Sequence, residues 1–163
     1  MPELPSRLWK DLPLPKRVLA AEAFWRDDES PDIEVQQQEA VVALARRLKF
    51  RPKSVLSQPM ERLAAQLAHL PDVTDAIATR ALIAYHFRNQ RPLMASFLDA
   101  LGIAHDNGLI TEEAVAPPDR NRLAAAVAAV NGPFDAEDVR IYLRTLAALD
   151  GETWSNVDSV LNG

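Results

Sequence analysis

Prolines in this chain fall between segments whose apolar residues recur at helical spacing. The chain has 12 prolines, among them Pro31, Pro59, Pro71 and Pro92. Proline lacks a backbone donor and pushes the residue before it out of the helical region, so it begins or ends a helix. The chain is therefore limited to short helices, because no segment between these breaks is long enough for a simple four-helix bundle.

The composition indicates helices throughout. Alanine, leucine, arginine and glutamate are good helix formers, only 5 residues are glycine, and alternating β-branched runs are missing. A length of 163 residues suits one domain with a sizeable core. We therefore predict an all-α protein with one helical domain over 14–163.

The apolar spacing places about seven or eight helices in this domain. Their irregular lengths and proline starts predict an orthogonal or layered array rather than a four-helix bundle. The predicted helices cover 15–28, 31–49, 59–70, 73–87, the stretch between Pro92 and Gly102, 119–130, 136–149, and a short terminal segment from 153.

Residues 1–13 are predicted to form an extended arm before the domain. Pro2, Pro5 and Pro13 restrict the backbone there. Four apolar side chains would tie the arm to the body: Leu4, Leu8, Trp9 and Leu12.

Several classes of protein are excluded or disfavoured by what the sequence lacks. With no cysteine, the chain has no disulfide, thiolate nucleophile or Cys-based zinc site. No run reaches the roughly 18 apolar residues of a membrane span, and we see no signal peptide at the N-terminus. We expect a cytoplasmic protein of bacterial origin without metal or redox cofactor.

Charge is distributed unevenly along the chain. Residues 46–91 carry nine basic and three acidic residues, a net charge of +6, whereas 93–163 carry four basic and eleven acidic residues, a net charge of −7. The isoelectric point near 5.2 disfavours a general nucleic-acid binder but leaves a specific anionic partner open. Alternatively, the two regions attract each other within the fold.

Known catalytic and metal-binding motifs do not fit. His69, His86 and His105 lie on different elements without an HExxH pair. The stretch 105–113 resembles half of an EF-hand loop, but Ala114 stands where the last calcium ligand is needed. We therefore predict a tight turn there, with Thr111 capping a short helical turn. Walker, GxGxxG and GxSxG motifs are missing too, which favours a non-catalytic protein.

The elbow at 85–92 is the first candidate binding site. It joins two strongly apolar segments and concentrates four side chains suited to a carboxylate or phosphate: Tyr85, His86, Arg88 and Arg91. In the alternative interpretation its arginines pair with acids of the acidic C-terminal region. If the site binds a ligand, the protein is a small-anion or metabolite binder, or a weak enzyme.

The segment 46–53 is the second candidate site. It is the densest basic run and contains an aromatic residue, so Arg47, Lys49 and Arg51 are predicted to contact phosphate if nucleic acid binds at all. Basic residues at a helix end are also ordinary, because they complement the helix dipole. We rank nucleic-acid contact third among the functions.

A helical interaction or regulatory module without catalytic activity is the leading hypothesis. The missing motifs, the uneven charge and the tryptophans at Trp9, Trp25 and Trp154 support it. Its partner would be another protein or a second copy in a homodimer, and no membrane is involved.

Overall fold

The computed structural model describes residues 3–163 and confirms the all-α prediction. Ten helices and one small hairpin account for the regular structure of these residues. Within this described range, no helix is both long and apolar enough to cross a membrane. The elements are α1 Pro5–Asp11, α2 Leu14–Arg26, α3 Ile33–Leu48, α4 Pro52–Leu56, α5 Met60–His69, α6 Asp75–Asn89, α7 Arg91–Leu101, β1 His105–Asp106, β2 Leu109–Ile110, α8 Arg120–Val130, α9 Ala136–Leu149 and α10 Val157–Asn162.

Helix α1 corrects the prediction of an extended arm over 1–13; residues 1 and 2 of that arm lie outside the described range. Pro5 takes the first helical position, where its missing N–H costs nothing. Of the four apolar residues predicted to tie the arm down, Leu4 is 58% exposed, whereas Leu8, Trp9 and Leu12 are buried.

The chain forms two compact units. The N-terminal unit is Leu4–Arg88, and the C-terminal unit is Asn89–Gly163 together with Glu3. Compact units can belong to one folding domain, so the single domain over 14–163 stays a prediction.

The N-terminal unit is built around the pairing of α2 with α5, against which α3 also packs. Short α4 packs on α3. The core consists of large side chains that are almost fully buried: Leu8, Trp9, Phe24, Leu44, Leu67, Ile77 and Leu82.

The C-terminal unit is centred on α7, which packs against α8 and the hairpin, while α10 packs against α8 and α9. Phe97 is fully buried, and its ring lies 5.5 Å from the Tyr142 ring and 5.9 Å from the Trp154 ring, measured between centroids. Burial raises the pKa of the Tyr142 hydroxyl well above its usual value. This unit therefore has an aromatic core of its own.

A hairpin replaces the helical turn that was predicted after Thr111. Strands β1 and β2 are antiparallel, and Asn107 (φ 47°) and Gly108 (φ 94°) form the two-residue turn between them. Positive φ at both positions is the pattern that favours Asn-Gly. A Cβ on Gly108 would lie 2.9 Å from Cβ of Met94, so this turn needs glycine for space as well. Thr111 follows the hairpin in irregular structure.

Helix α3 has a left-handed residue at each end. Its N-cap is Asp32 (φ 58°), and its C-cap is Lys49 (φ 58°). A residue with a side chain is strained by roughly 1 kcal/mol or more in this region, where glycine is the usual choice. The helix that begins at Ile33 is thus flanked by an acid and a base in strained conformations.

Candidate functional site

A shallow groove of about 670 Å³ runs along α3 in the N-terminal unit. Its surface is mainly apolar, with Val35, Val42 and Ile77 contributing side chains. Carboxylates stand at its margin on Glu34, Glu39 and Asp72, and the remaining lining residues are Gln38, Ala43 and Thr74. We call this feature the α3 groove.

The two valines lie outside the stripe that α3 buries. Ile33, Val41 and Leu44 face the core, whereas Val35 and Val42 are seven residues apart and share another face, since seven residues make about two turns. Val35 is 55% exposed. Helix α3 therefore presents a second, narrower apolar stripe to the solvent.

Charge is polarised along α3. Glu34 and Glu39 lie in its N-terminal half, and Arg46 and Arg47 in its last turn. All four are exposed, and within residues 3–163 none of them forms an ion pair. This distribution complements the helix dipole. It also leaves four uncompensated charges beside an apolar stripe.

Apolar exposure continues past the end of α3. Phe50 directly follows the C-cap and is 47% exposed, and Leu56 at the end of α4 is 56% exposed. Each is a large apolar side chain in contact with water next to exposed basic residues. The surface from Val35 to Leu56 thus combines apolar and charged side chains in the manner of an interaction surface.

The elbow residues of the predicted anion site divide between core and surface. Tyr85 and His86 are each 2% exposed. His86 Nδ1 donates to the carbonyl of Leu82 at 2.8 Å, a bond within α6. Arg88 is exposed and forms no ion pair among residues 3–163, while Arg91 Nη1 donates to the carbonyl of Asn107 at 2.8 Å. Anion binding at this elbow stays a prediction.

The residues of the predicted nucleic-acid contact are all exposed. Arg47 lies in the last turn of α3, Lys49 is its C-cap and Arg51 is the N-cap of α4. They follow a bent connector rather than one helix face. Nucleic-acid contact through 46–53 stays a prediction.

The histidines serve local structure. His69 Nδ1 donates to the carbonyl of Ala65 at 2.7 Å. His105 Nδ1 accepts the Gly108 amide at 3.1 Å, so Nε2 carries the proton that is donated to Asp99 at 2.6 Å. Across the described part of the chain, no group of three or more His, Cys, Asp or Glu could hold a metal ion.

An acidic cleft of about 470 Å³ lies in the C-terminal unit between the end of the hairpin and the segment after α9. Two of its carboxylates accept nearby backbone N–H groups. Glu112 accepts the Ala104 amide at 2.8 Å, and Asp150 accepts the Thr153 amide at 3.2 Å. The Thr153 hydroxyl and then its amide lower the pKa of Asp150 below its usual value. Glu112 and Asp150 therefore stabilise the loops in which they lie.

Sequence reasoning missed the α3 groove. The available signal was a pair of valines seven apart on the polar side, Val35 and Val42, with an acid and a base at the same spacing, Glu39 and Arg46.

No protein family, curated protein or solved structure matches this chain.

Proposed function

We propose that this protein is a helical interaction module without catalytic activity, and that its α3 groove binds an amphipathic helix carrying basic residues. The observation that carries the proposal is the combination of an exposed apolar stripe with unneutralised carboxylates at Glu34 and Glu39. A helix laid into such a groove is a recurring mode of peptide recognition.

The apolar stripe supplies the attraction. Val35 is 55% exposed and Val42 is half-buried in the free groove. Covering them removes apolar surface from water at about 25 cal/mol per Å². The groove is open along its length, so an occupant does not have to displace any part of the chain.

The carboxylates determine which charge the partner helix must carry. Glu34 and Glu39 flank the stripe and pair with no cation among residues 3–163, while Asp72 pairs with Lys10 at 3.3 Å. Lysines or arginines beside the apolar face of the occupant would neutralise them and steer its approach. An acidic helix would meet like charges and be rejected.

The proposed interaction takes place in the compartment that the sequence predicts. The partner is a protein segment or a second copy of the chain in the cytoplasm of a bacterium, with no membrane and no nucleic acid required. Anion binding at the 85–92 elbow is the alternative proposal, and the exposed Arg88 supports it.

Titration with fluorescein-labelled peptides tests the groove. The probes are about 20-residue amphipathic peptides of Leu, Ala and Lys, long enough to form a helix. We expect saturable, salt-sensitive binding to the full chain. A matching Leu, Ala and Glu peptide should not bind. Val42→Arg, which fills the groove with a cation, should weaken binding about tenfold or more.

Leu149→Arg is the matched control, because Leu149 is also exposed (40%) but lies on α9 in the other unit. It should bind the lysine peptide like the wild type. Equal binding of both peptides, or indifference to Val42→Arg, would show that the groove is not the binding site.

A further inference from the structure

We propose that the α3 groove is occupied by α3 of a second copy of this chain, with the two helices antiparallel about a two-fold axis. This inference rests on the proposed function and names its partner. Helix α3 is itself amphipathic and carries basic residues. It therefore has the properties that the groove requires of its ligand.

An antiparallel arrangement makes α3 complementary to itself. Its acids, Glu34 and Glu39, lie toward one end, and its bases, Arg46 and Arg47, toward the other. Running the second helix in the opposite direction places acidic ends against basic ends. A parallel pair would set like charges side by side at both ends, which destabilises a helix pair.

The register follows from the positions of these charges. A two-fold axis passing between Val42 and Ala43 sets Glu39 opposite the partner's Arg46, because 39 and 46 lie equally far from it, at about 5 Å along the helix. Glu39 and Arg46 are seven residues apart and so occupy the same flank of α3. A two-fold axis perpendicular to the helix keeps that flank aligned in both copies, so the ion pair forms twice.

The same register covers exposed apolar side chains. Val35 shares the face of Val42 and lies about 11 Å from the axis along the helix, opposite the C-terminal end of the partner's α3. Val35 is 55% exposed, so the end of the partner helix would cover part of its surface. Val42 lies at the centre, beside the partner's Ala43. One register thus satisfies both the charges and the apolar residues.

The contact is small, which sets the concentration at which it should form. Helix α3 is about 24 Å long, and a single helix pair of this length lies at the low end of specific interfaces. We expect a weak, reversible dimer that dissociates as salt is raised, because its ion pairs are solvent-accessible.

Light scattering on the full chain over a concentration series tests self-association. The expected mass rises from 18.0 kDa toward twice that value between about 10 µM and 1 mM, the range of a weak interface. Glu39→Arg alone and Arg46→Glu alone should each raise the dimer dissociation constant about tenfold, since each converts two attractive pairs into two repulsive ones.

Mixing the two variants gives the decisive result. In a dimer of one Glu39→Arg chain and one Arg46→Glu chain, both facing pairs are again oppositely charged. The equimolar mixture should therefore dimerise about as tightly as the wild type, although each variant alone does not. Restoration in the mixture depends on the antiparallel register, and neither misfolding nor a change in net charge would produce it.

Glu61→Arg and Arg62→Glu are matched control variants. They make the same charge changes at exposed residues of α5, away from the groove, and should dimerise like the wild type. Circular dichroism on every variant verifies that the fold is retained.

Each other outcome overturns the inference. A constant mass of 18.0 kDa would exclude self-association. If Glu39→Arg and Arg46→Glu leave the dimer dissociation constant unchanged, the proposed register is wrong. If the equimolar mixture of the two variants does not dimerise, the antiparallel two-fold arrangement is wrong. If the lysine peptide still binds in a Val42-dependent way, the interaction module survives and only the second copy is lost. If neither peptide nor second copy binds, both proposals fail.

Discussion

A single carboxylate links two elements that are distant in the sequence. Asp75, the first residue of α6, accepts the backbone N–H of Ser6 at 3.0 Å. That N–H belongs to the first turn of α1, where no intrahelical acceptor exists. The Ser6 hydroxyl and then its N–H lower the pKa of Asp75, while slight burial acts in the opposite sense. The Asp75 side chain, at the start of α6, thus provides the acceptor that is missing at the start of α1.

This bond predicts a specific loss of stability in acid. Because folding lowers the pKa of Asp75 from its ordinary 3.8, the unfolded chain binds the proton more tightly. The stabilisation is complete above that value and is lost as pH falls through the folded pKa. The melting temperature of Asp75→Asn should therefore fall less steeply with acidification than that of the wild type.

Melting curves between about pH 7 and pH 2.5, a range that spans carboxyl titration, measure this effect. Asp28→Asn, at an exposed position of the same unit, is the control and should follow the wild type. Identical slopes for Asp75→Asn and the wild type would contradict a role for this carboxylate.

Individual side chains also show where sequence reasoning loses information. The elbow concentrates polar residue types, but type does not specify orientation. Tyr85 and His86 point into the core, where their rings meet edge to face at 5.0 Å, and the adjacent Arg88 is exposed. A helix that is apolar on several sides has no unambiguous outer face, so its amphipathic pattern did not decide which polar residues reach the solvent.

At the scale of elements, α1 contributes more than its length suggests. It has 7 residues and no side-chain cap from its own N-cap residue, and a helix this short is not stable in isolation. Trp9 is 1% exposed and Leu8 is fully buried. Tertiary packing, rather than propensity, therefore maintains this helix.

Truncation of Trp9 tests that conclusion. Trp9→Ala should lower the free energy of unfolding by about 3–5 kcal/mol, the usual cost of removing a large buried aromatic side chain. Lys10→Ala on the same helix removes only an ion pair with Asp72 at 3.3 Å, between exposed side chains, and should cost less than about 1 kcal/mol. Urea denaturation followed by circular dichroism measures both; similar losses would mean that α1 is not part of the core.

Most helices were predictable because their apolar spacing is clear. Helix α9 runs from Ala136 to Leu149, as expected for 136–149, and α8 starts one residue from the prediction for 119–130. Helix α1 was missed because proline at a first helical position was interpreted as a break. The hairpin was missed because strands of 2 residues contain no measurable periodicity. Helix α1 and the hairpin both depend on local residue chemistry, which the spacing of apolar residues does not reveal.

At the scale of the whole molecule, the tryptophans report separately on the two units. Trp9 and Trp25 lie in the N-terminal unit and Trp154 in the C-terminal unit. We expect one cooperative domain over 14–163, because single domains of up to about 150 residues usually unfold in a single transition. Fluorescence from either unit should then change together with the circular dichroism of the whole chain.

Two variants isolate these reporters. Trp154→Phe retains emission from the N-terminal unit, and Trp9→Phe with Trp25→Phe retains emission from the C-terminal unit. In each variant the urea midpoints from fluorescence and from circular dichroism should coincide. Because both signals come from the same protein, a change in stability does not affect the comparison. Separate midpoints would show that the units unfold as independent domains.

The strained ends of α3 have a consequence for protein engineering. Glycine at Asp32 or Lys49 would relieve a left-handed backbone with φ of 58°, so both positions are attractive targets for raising thermostability. Each replacement would also remove a charge from the end of the helix that carries the proposed contact. A variant stabilised by glycine at either position would therefore have a weaker charge asymmetry along α3. Its thermostability would increase while its selectivity for the partner decreases.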